Sequence, residues 1–345
     1  MITPRRLVFT NRKGGVGKTT TSVNIAAALA HMGFSVLLVD LDPQAHATMS
    51  LGISQSEISG DVGDVAQGRV HASDALRPTY VPRLKVLPSS RRLSDFERRY
   101  ANSVEARFWM RKQLESEMKR HAFTVFDTPP TTQLLTLSAL IAGDEAFVPM
   151  QAHFLAMEGM IEIIELVEQI RRHHNPGLSV RGIIPTFYDE GAAFSSRMME
   201  ELRNRLGSDV VLNPIRQSRS LAEAPGNGHT IFQHNLRSEG AVDYYRVALQ
   251  IRNMEPPRGT ERVGLIPGRD RSRNAVRRIA PAESAFPGAC LSQVEYRPFY
   301  RAVLIEYRTP VDSDTEALSW RGRTGTGDHH EFVLLRRCRS RRMRA

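Results

Sequence analysis

The chain has only two cysteines, Cys290 and Cys338, and both lie late. Two cysteines so placed give no disulfide framework and no metal-ligand spacing, and they predict a reducing, cytoplasmic setting. No apolar run approaches the roughly 18 consecutive residues of a membrane span, so no transmembrane segment is expected. The first strand pattern begins at Leu7, which leaves no room for a signal peptide before it. Internal repeats are lacking. Lysine is absent from residues 253–345, which hold 18 Arg and 11 acidic residues, a net +7 of the chain's +10. Residues 1–252 therefore carry only +3. The basic character of the whole chain is mostly that of its last quarter, and alone it does not argue that the folded part binds nucleic acid.

What is present begins with Asn11-Arg12-Lys13-Gly14-Gly15-Val16-Gly17-Lys18-Thr19-Thr20. An apolar run, Leu7-Val8-Phe9, precedes it, and an Ala-rich helical pattern from Asn24 to Ala30 follows. Strand, glycine loop and helix in that order make a P-loop. Glycines let the backbone wrap round phosphates, and successive N–H groups with the helix N-terminus face the negative charge. Gly14, Gly15, Val16, Gly17, Lys18, Thr19 and Thr20 are the expected nucleotide cradle. Lys18 is placed to reach the β- and γ-phosphates, and Thr19 to ligate Mg²⁺. The usual first glycine of the motif is replaced by Arg12, and beside it stands a second lysine, Lys13.

Strand and helix patterns alternate from Leu7 to about Ile251, which predicts an α/β fold, a mostly parallel sheet with helices on both faces. Strands are expected at Leu7–Thr10, Ser35–Asp40, Leu84–Leu87, Phe123–Asp127, Ala146–Pro149, Val180–Ile184 and, last, Val210–Leu212. Helices are expected from the P-loop to Met32, with Gly33 as the stop, then over Val104–Arg120 and Ala241–Ile251. Met157, Met160, Ile161, Ile164 and Val167 form a helical stripe that reads as core. The expected domain is 1–252. Beyond it, 253–345 loses periodicity, with Pro, Gly and Arg punctuating it and at most a short strand in Tyr296–Tyr307. This irregular Arg-rich tail is either a nucleic-acid-binding extension or a stretch foreign to the fold, such as read-through or a shifted frame.

Three carboxylates accompany the P-loop. Asp40 and Asp42 stand in Val39-Asp40-Leu41-Asp42-Pro43-Gln44, and Asp127 ends a strand before Thr128-Pro129-Pro130. Phosphoryl transfer needs a held metal, neutralised phosphates and an aligned water. Asp127 at a buried strand end suits Mg²⁺, Asp40 suits its waters, and Asp42 in the loop beyond suits the attacking water.

Lys13-Gly14-Gly15-Val16-Gly17-Lys18-Thr19-Thr20 resembles the deviant Walker A motif of the ParA/MinD ATPases. Asp40-Leu41-Asp42-Pro43-Gln44 resembles their switch I, and Phe126-Asp127-Thr128-Pro129-Pro130 their Walker B and switch II. Pro185-Thr186-Phe187-Tyr188-Asp189, Leu221-Ala222-Glu223-Ala224-Pro225, Gly228 and Ser238-Glu239-Gly240-Ala241 resemble later motifs of the ParA (Soj-like) partitioning branch. The resemblance spans about residues 5–252. It implies a P-loop NTPase that uses ATP and Mg²⁺ and forms an ATP-dependent homodimer, with Lys13 reaching the partner's phosphates. It also implies non-specific DNA binding, release on hydrolysis, nucleoid association and a ParB-like activator protein. Arg216, Arg219 and Arg237 are the implied DNA contacts, and the loop at Asn213-Pro214-Ile215 the implied adenine contact, through Pro214.

Ala45-His46 departs from the Gly-Asn that usually follows Asp-Pro-Gln in such chains. An alternative is a MinD-like ATPase at the membrane surface, but Arg336–Ala345 shows no amphipathic stripe. An iron-protein-like reductase would need core cysteines, and residues 1–252 hold none. A nucleotide-binding adaptor without turnover is disfavoured by Lys18, Asp42 and Asp127. His173-His174 and His329-His330 lack companion ligands.

Overall fold

The structure is a computed structural model that describes residues 3–152, 156–256, 315–323 and 329–337. The chain opens with β1 (Arg5–Phe9), α1 (Lys18–His31), β2 (Val36–Asp40) and α2 (His46–Ser50). Short helices α3 (Val62–Ala66) and α4 (Ala72–Ala75) lead to β3 (Arg77–Pro78) and β4 (Leu84–Leu87). Next come α5 (Leu93–Tyr100), α6 (Trp109–Gln113), α7 (Glu115–Arg120), β5 (Phe123–Asp127) and α8 (Leu134–Ala142). The run continues through β6 (Glu145–Gln151), α9 (Ala156–His173), β7 (Ser179–Thr186) and α10 (Ala193–Leu206). It closes with α11 (Arg219–Glu223), α12 (Ile231–His234) and α13 (Glu239–Asn253).

Seven strands form one sheet in the order β3-β4-β2-β5-β1-β6-β7. All pairs are parallel except β3 with β4. Strands β2 and β5 are buried at every residue, as Val-Leu-Leu-Val-Asp and Phe-Thr-Val-Phe-Asp should be in a sheet covered on both faces. Register matters for the site. Phe9 pairs with Asp127, and Asp127 with Asp40, so the ends of β1, β5 and β2 lie level.

Helix α1 is buried almost all round, which its Ala-rich sequence permits. It lies between the sheet and α13, whose Ala241, Tyr244, Val247, Ala248 and Ile251 form the facing stripe. Tyr244 Oη and Thr21 Oγ1 share a hydrogen bond of 3.1 Å. Buried Arg5 ties the end of α13 to the sheet. It pairs with Glu145 at 2.7 Å and donates to the Ile251 carbonyl at 2.7 Å.

Some expected elements differ. The helix over Val104–Arg120 is broken into a 3-10 turn at Glu105–Phe108, then α6 and α7. The backbone departs from helical geometry at Phe108, α6 gives way to α7 at Leu114, and Trp109, Met110, Leu114 and Met118 are buried. Val210–Leu212 is not a full strand. It contributes one bridge, Val211 to Ile183, and Pro214 soon after has no N–H to extend a ladder. In α9 the buried stripe is Met160, Ile163, Ile164, Val167 and Ile170, so Ile163 and Ile170 take the place expected of Ile161. The Met157 side chain lies outside the described residues.

Residues 273–345 form a separate unit by contacts. In it β8 (Thr315–Arg323) and β9 (His329–Arg337) pair antiparallel, from Thr315 with Arg337 to Arg323 with His329. The rest of the tail expected to be irregular, 257–314, 324–328 and 338–345, lies outside the described residues. Leu318, Trp320, Phe332 and Val333 supply strand propensity that the surrounding arginines obscure. Tyr296–Tyr307, Cys290 and Cys338 lie outside the described residues. Among the described residues no helix is long and apolar enough to cross a membrane.

Candidate functional site

The P-loop leaves β1 and enters α1 through two left-handed glycines. Gly15 has φ +72° and Gly17 φ +81°, a region that L side chains rarely adopt. Val16 between them is fully buried and anchors the loop, and its carbonyl accepts from Thr186 Oγ1 at 2.9 Å. Asn11 Oδ1 accepts from Lys13 N at 3.0 Å, while Asn11 Nδ2 donates to the Pro149 carbonyl at 2.8 Å. Gln151 Nε2 donates to the Gly15 carbonyl at 3.2 Å. The ends of β6 and β7 thus fix the loop from one side.

The two lysines of the loop occupy opposite environments. Lys18 is 7% exposed, and its Nζ donates inward to the Lys13 carbonyl at 3.0 Å. Burial lowers its pKa, against the raising influence of Asp127 and Asp42. Lys13 is exposed, on the outer side of the loop, with its Nζ 3.3 Å from Gln151 Oε1. Gly14 and Gly15 are exposed beside it, and Thr19 and Thr20 are half-buried at the head of α1.

Asp40 and Asp127 are both fully buried. Asp40 Oδ2 accepts from Thr48 N at 2.8 Å and Thr48 Oγ1 at 2.7 Å, and Oδ1 accepts from Asp42 N at 3.1 Å. Its oxygens are thus committed to ordering the loop after β2. Asp127 Oδ1 accepts from Ser22 Oγ at 2.8 Å, and the Thr19 hydroxyl lies near enough to this carboxylate to favour its charged form. Asp127 Oδ2 has no partner among the described residues. Burial, and then the negative charge of Asp40, pushes the Asp127 pKa up. Burial likewise raises that of Asp40. A buried carboxylate oxygen without a donor, beside a second carboxylate and next to the Thr19 hydroxyl, is a donor set suited to a hard cation. The expected metal residues Thr19 and Asp127 therefore come together, with Asp40 next to them.

Asp42 is half-buried and turns the loop. Its Oδ1 accepts from Gln44 N at 2.9 Å, and its carbonyl accepts from Ala45 N at 2.8 Å. Ala45 sits in the left-handed region at φ 55° as the N-cap of α2, where glycine would be unstrained.

The late motifs are placed less uniformly. Ile215 N donates to the Pro185 carbonyl at 2.7 Å, so half-buried Pro214 lies beside the end of β7, whose Thr186 holds the P-loop. Arg216 is engaged in ion pairs. Its guanidinium pairs with Asp243 at 2.9 Å, Glu239 at 3.1 Å and Glu190 at 3.7 Å. It clamps α13 to the end of segment 210–215, and a DNA contact through Arg216 would have to compete with these pairs. Arg219 and Arg237 are exposed, and their segments are joined by Asn235 Nδ2 and Ser220 Oγ at 3.4 Å.

Several residues that shape the site carry no motif signal of their own. Ser22, Thr48 and Gln151 act only as hydrogen-bond partners, and only the tertiary structure identifies them. Thr186 and Phe187 belong to the motif at 185–189, and the fold adds what they touch. Phe187 has a φ of +52°, it is 46% exposed, and its ring would be 3.8 Å from a Cβ on Gly17. The sequence signal for Phe187 is its place within Pro185-Thr186-Phe187-Tyr188-Asp189.

Comparison with known proteins agrees with this geometry. A sequence-family profile described as an AAA domain matches residues 5–180. The sporulation initiation inhibitor protein Soj of Bacillus subtilis is 33% identical over 245 residues, covering 71% of this chain and 97% of that protein. The chromosome-partitioning ATPase Soj of Thermus thermophilus is 36% identical over 249 residues, 72% of this chain and 95% of that protein. Among solved structures, cobyrinic acid a,c-diamide synthase from Mycobacterium smegmatis, with bound ATP analog and magnesium, superposes with a TM-score of 0.62. It is 30% identical, over 71% of this chain and 92% of that one.

Proposed function

We propose that this chain, which belongs to the ParA/Soj-type branch of the ParA/MinD family of P-loop ATPases, is an ATP-driven dimerising switch for DNA partitioning. One observation carries the reading. Of two lysines five residues apart, Lys18 is folded into its own loop and Lys13 is presented on the outside. A buried lysine serves the phosphates held by its own chain. A surface lysine beside that same site suits the phosphates of a second copy, supplying a cation in trans as an arginine finger does.

Within one protomer, Gly14–Thr20 would cradle the phosphates and Lys18 would neutralise them. Thr19 and Asp127 would hold Mg²⁺, with Asp40 next to them and Asp42 orienting the water. Mg²⁺ when bound supplies charge neutralisation across the phosphates. Asp42 is suited to its role because its loop is ordered from below by Asp40 while its own side chain stays half-exposed. Pro214 would border the base. The ATPase unit comprises residues 1–252, Arg219 and Arg237 remain candidate phosphate contacts, and a ParB-like protein would stimulate turnover.

The test is sedimentation of the full chain with ATP, with ADP and without nucleotide, beside duplex-DNA binding in the same three states. The expected result is a dimer that binds DNA with ATP alone. Lys13→Ala should keep ATP binding and lose the dimer. A chain that stays monomeric with saturating ATP, or a Lys13→Ala variant that dimerises normally, overturns the reading.

A further inference from the structure

The positive charge of the ATPase unit is concentrated in one stretch of its sequence. Residues 69–120 hold thirteen Arg and Lys against six Asp and Glu, a net +7. The rest of residues 1–252 holds sixteen basic and twenty acidic residues, a net −4. The basic segment comprises α4, the edge strands β3 and β4, and helices α5, α6 and α7. None of the arginines expected to contact DNA falls in it.

Some of these cations are already engaged. Arg69 and Arg92 answer the carboxylates of Asp61 and Asp64, and Lys119 and Arg120 pair along their own helix. Arg98 makes an exposed pair with Asp95 at 2.7 Å, of a kind that contributes little and exchanges readily. Arg99, Arg111 and Lys112 are exposed, with no carboxylate partner among the described residues. Helices α5 and α6 are joined by the rings of Phe96 and Trp109, centroids 6.2 Å apart. Arg99 and Lys112 stand three residues after those rings, one helical turn on, so these two cations flank the contact that joins the helices, while Arg98 and Arg111 are exposed on the turns beside them.

Two observations decide what such a face takes. The only large apolar side chain exposed between Arg91 and Arg120 is Val104, so there is no apolar anchor for a lipid surface. Arginine outnumbers lysine ten to three in residues 69–120, and its fork matches phosphate oxygens. The face also adjoins the nucleotide site. Glu97, next to Arg98, accepts from Leu135 N at 3.4 Å at the head of α8, the helix that follows Asp127-Thr128-Pro129-Pro130. A cleft of about 600 Å³ opens between α5 and that helix start, lined by Glu97 and Arg98 on one side and Gln133 and Leu134 on the other.

We propose that the face formed by α5 and α6, through Arg98, Arg99, Arg111 and Lys112, is a phosphate-binding surface for duplex DNA in this ATPase, separate from Arg219 and Arg237. It rests on the DNA-binding reading above and names where that binding occurs. Its place beside the segment after Asp127 gives nucleotide state a direct route to it.

The test uses the full chain carrying Arg98→Ala, Arg99→Ala, Arg111→Ala and Lys112→Ala together. Binding to a mixed-sequence duplex is followed with ATP from 50 to 200 mM salt, so that the unchanged Arg-rich tail contributes equally to both proteins. Each lost phosphate contact lowers the log–log salt slope by about 0.9, so a fall of about 3 to 4 is expected. Arg98→Lys, Arg99→Lys and Arg111→Lys together should retain the slope, and ATP turnover without DNA should be unchanged in both variants. A native slope in the alanine variant, with the loss confined to Arg219→Ala and Arg237→Ala, overturns this surface and leaves the DNA reading standing. No duplex binding by the native chain in any nucleotide state overturns both. If the alanine variant loses binding to phosphatidylserine vesicles and keeps binding to DNA, the surface serves lipid and the proposal fails.

Discussion

The nucleotide end of the sheet and the basic edge of the molecule formed by α5 and α6 are built on opposite terms. At the nucleotide end the polar groups that are buried have named partners, Asp127 Oδ2 apart. Asp40 is held by Thr48 and the Asp42 amide, Asp127 by Ser22, Lys18 by the Lys13 carbonyl, and Val16 by Thr186. At the edge the charges are exposed, and Arg99, Arg111 and Lys112 answer to no carboxylate among the described residues. Buried groups must be specific, because an unmatched one costs about 1–3 kcal/mol. Exposed cations act by their sum, so one can be exchanged for another at small cost. The first region is therefore sensitive to single substitutions, and the second only to several at once.

Lys18→Ala puts the heaviest load on this contrast. It removes the one buried cation between Asp127, Asp42 and the phosphate cradle. ATP-dependent dimerisation and measurable hydrolysis should both be lost. Normal turnover in this variant would remove the P-loop assignment altogether. Asp42→Ala should come next. Nucleotide binding should persist while single-turnover hydrolysis falls by about 10²–10⁴-fold, the range for a lost proton-transfer or water-orienting group. ATP-state dimers should then accumulate in sedimentation. Hydrolysis at the native rate would mean that another residue positions the water.

These two positions could be chosen before any coordinates, and the reason is physical. A phosphate cradle needs glycines, a lysine and a hydroxyl in one order along the chain, and its metal ligands sit at strand ends. Strands such as Val36–Asp40 are fully buried, so their apolar runs read clearly, with the terminal carboxylate as the conspicuous break. What escaped the sequence depends on distance along the chain. Ser22 meets Asp127 across 105 positions and Thr186 meets Val16 across 170. Arg216 looked like a surface cation until the fold brought Asp243 and Glu239 against it. The basic edge was hidden by averaging, since +3 over residues 1–252 conceals +7 against −4. The broken helix after Val104 was missed because burial of Trp109 outweighed a continuous helical pattern.

Ser22→Ala sharpens the comparison at intermediate size. It leaves Asp127 Oδ1 without its serine donor inside a dry site. The nucleotide-free chain should lose about 1–2 kcal/mol, within the range for an unmet buried acceptor. The thermal midpoint should fall by about 2–8 °C. Arg111→Ala at the edge should stay within about 0.5 kcal/mol of the native chain. Equal losses in the two variants would end the distinction between a partnered site and an additive surface.

The smallest effect tests the nucleotide end from the other direction. Ala45 is buried and left-handed, at φ 55° and ψ 31°, with its amide bound to the Asp42 carbonyl and its carbonyl accepting from Met49 N. An L-residue in that conformation costs about 1–2 kcal/mol, while glycine costs about 0.5–1 kcal/mol more in chain entropy. The difference favours Ala45→Gly by about 0.5–1 kcal/mol. On melting the nucleotide-free chain this should appear as a rise of about 1–4 °C. A fall would mean that the buried alanine methyl contributes more than the strain it brings. A rise would show that the loop carrying Asp42 is held under strain in the native chain. The same substitution should then change the hydrolysis rate, since Asp42 and Ala45 share one turn, whereas no single substitution at the basic edge should.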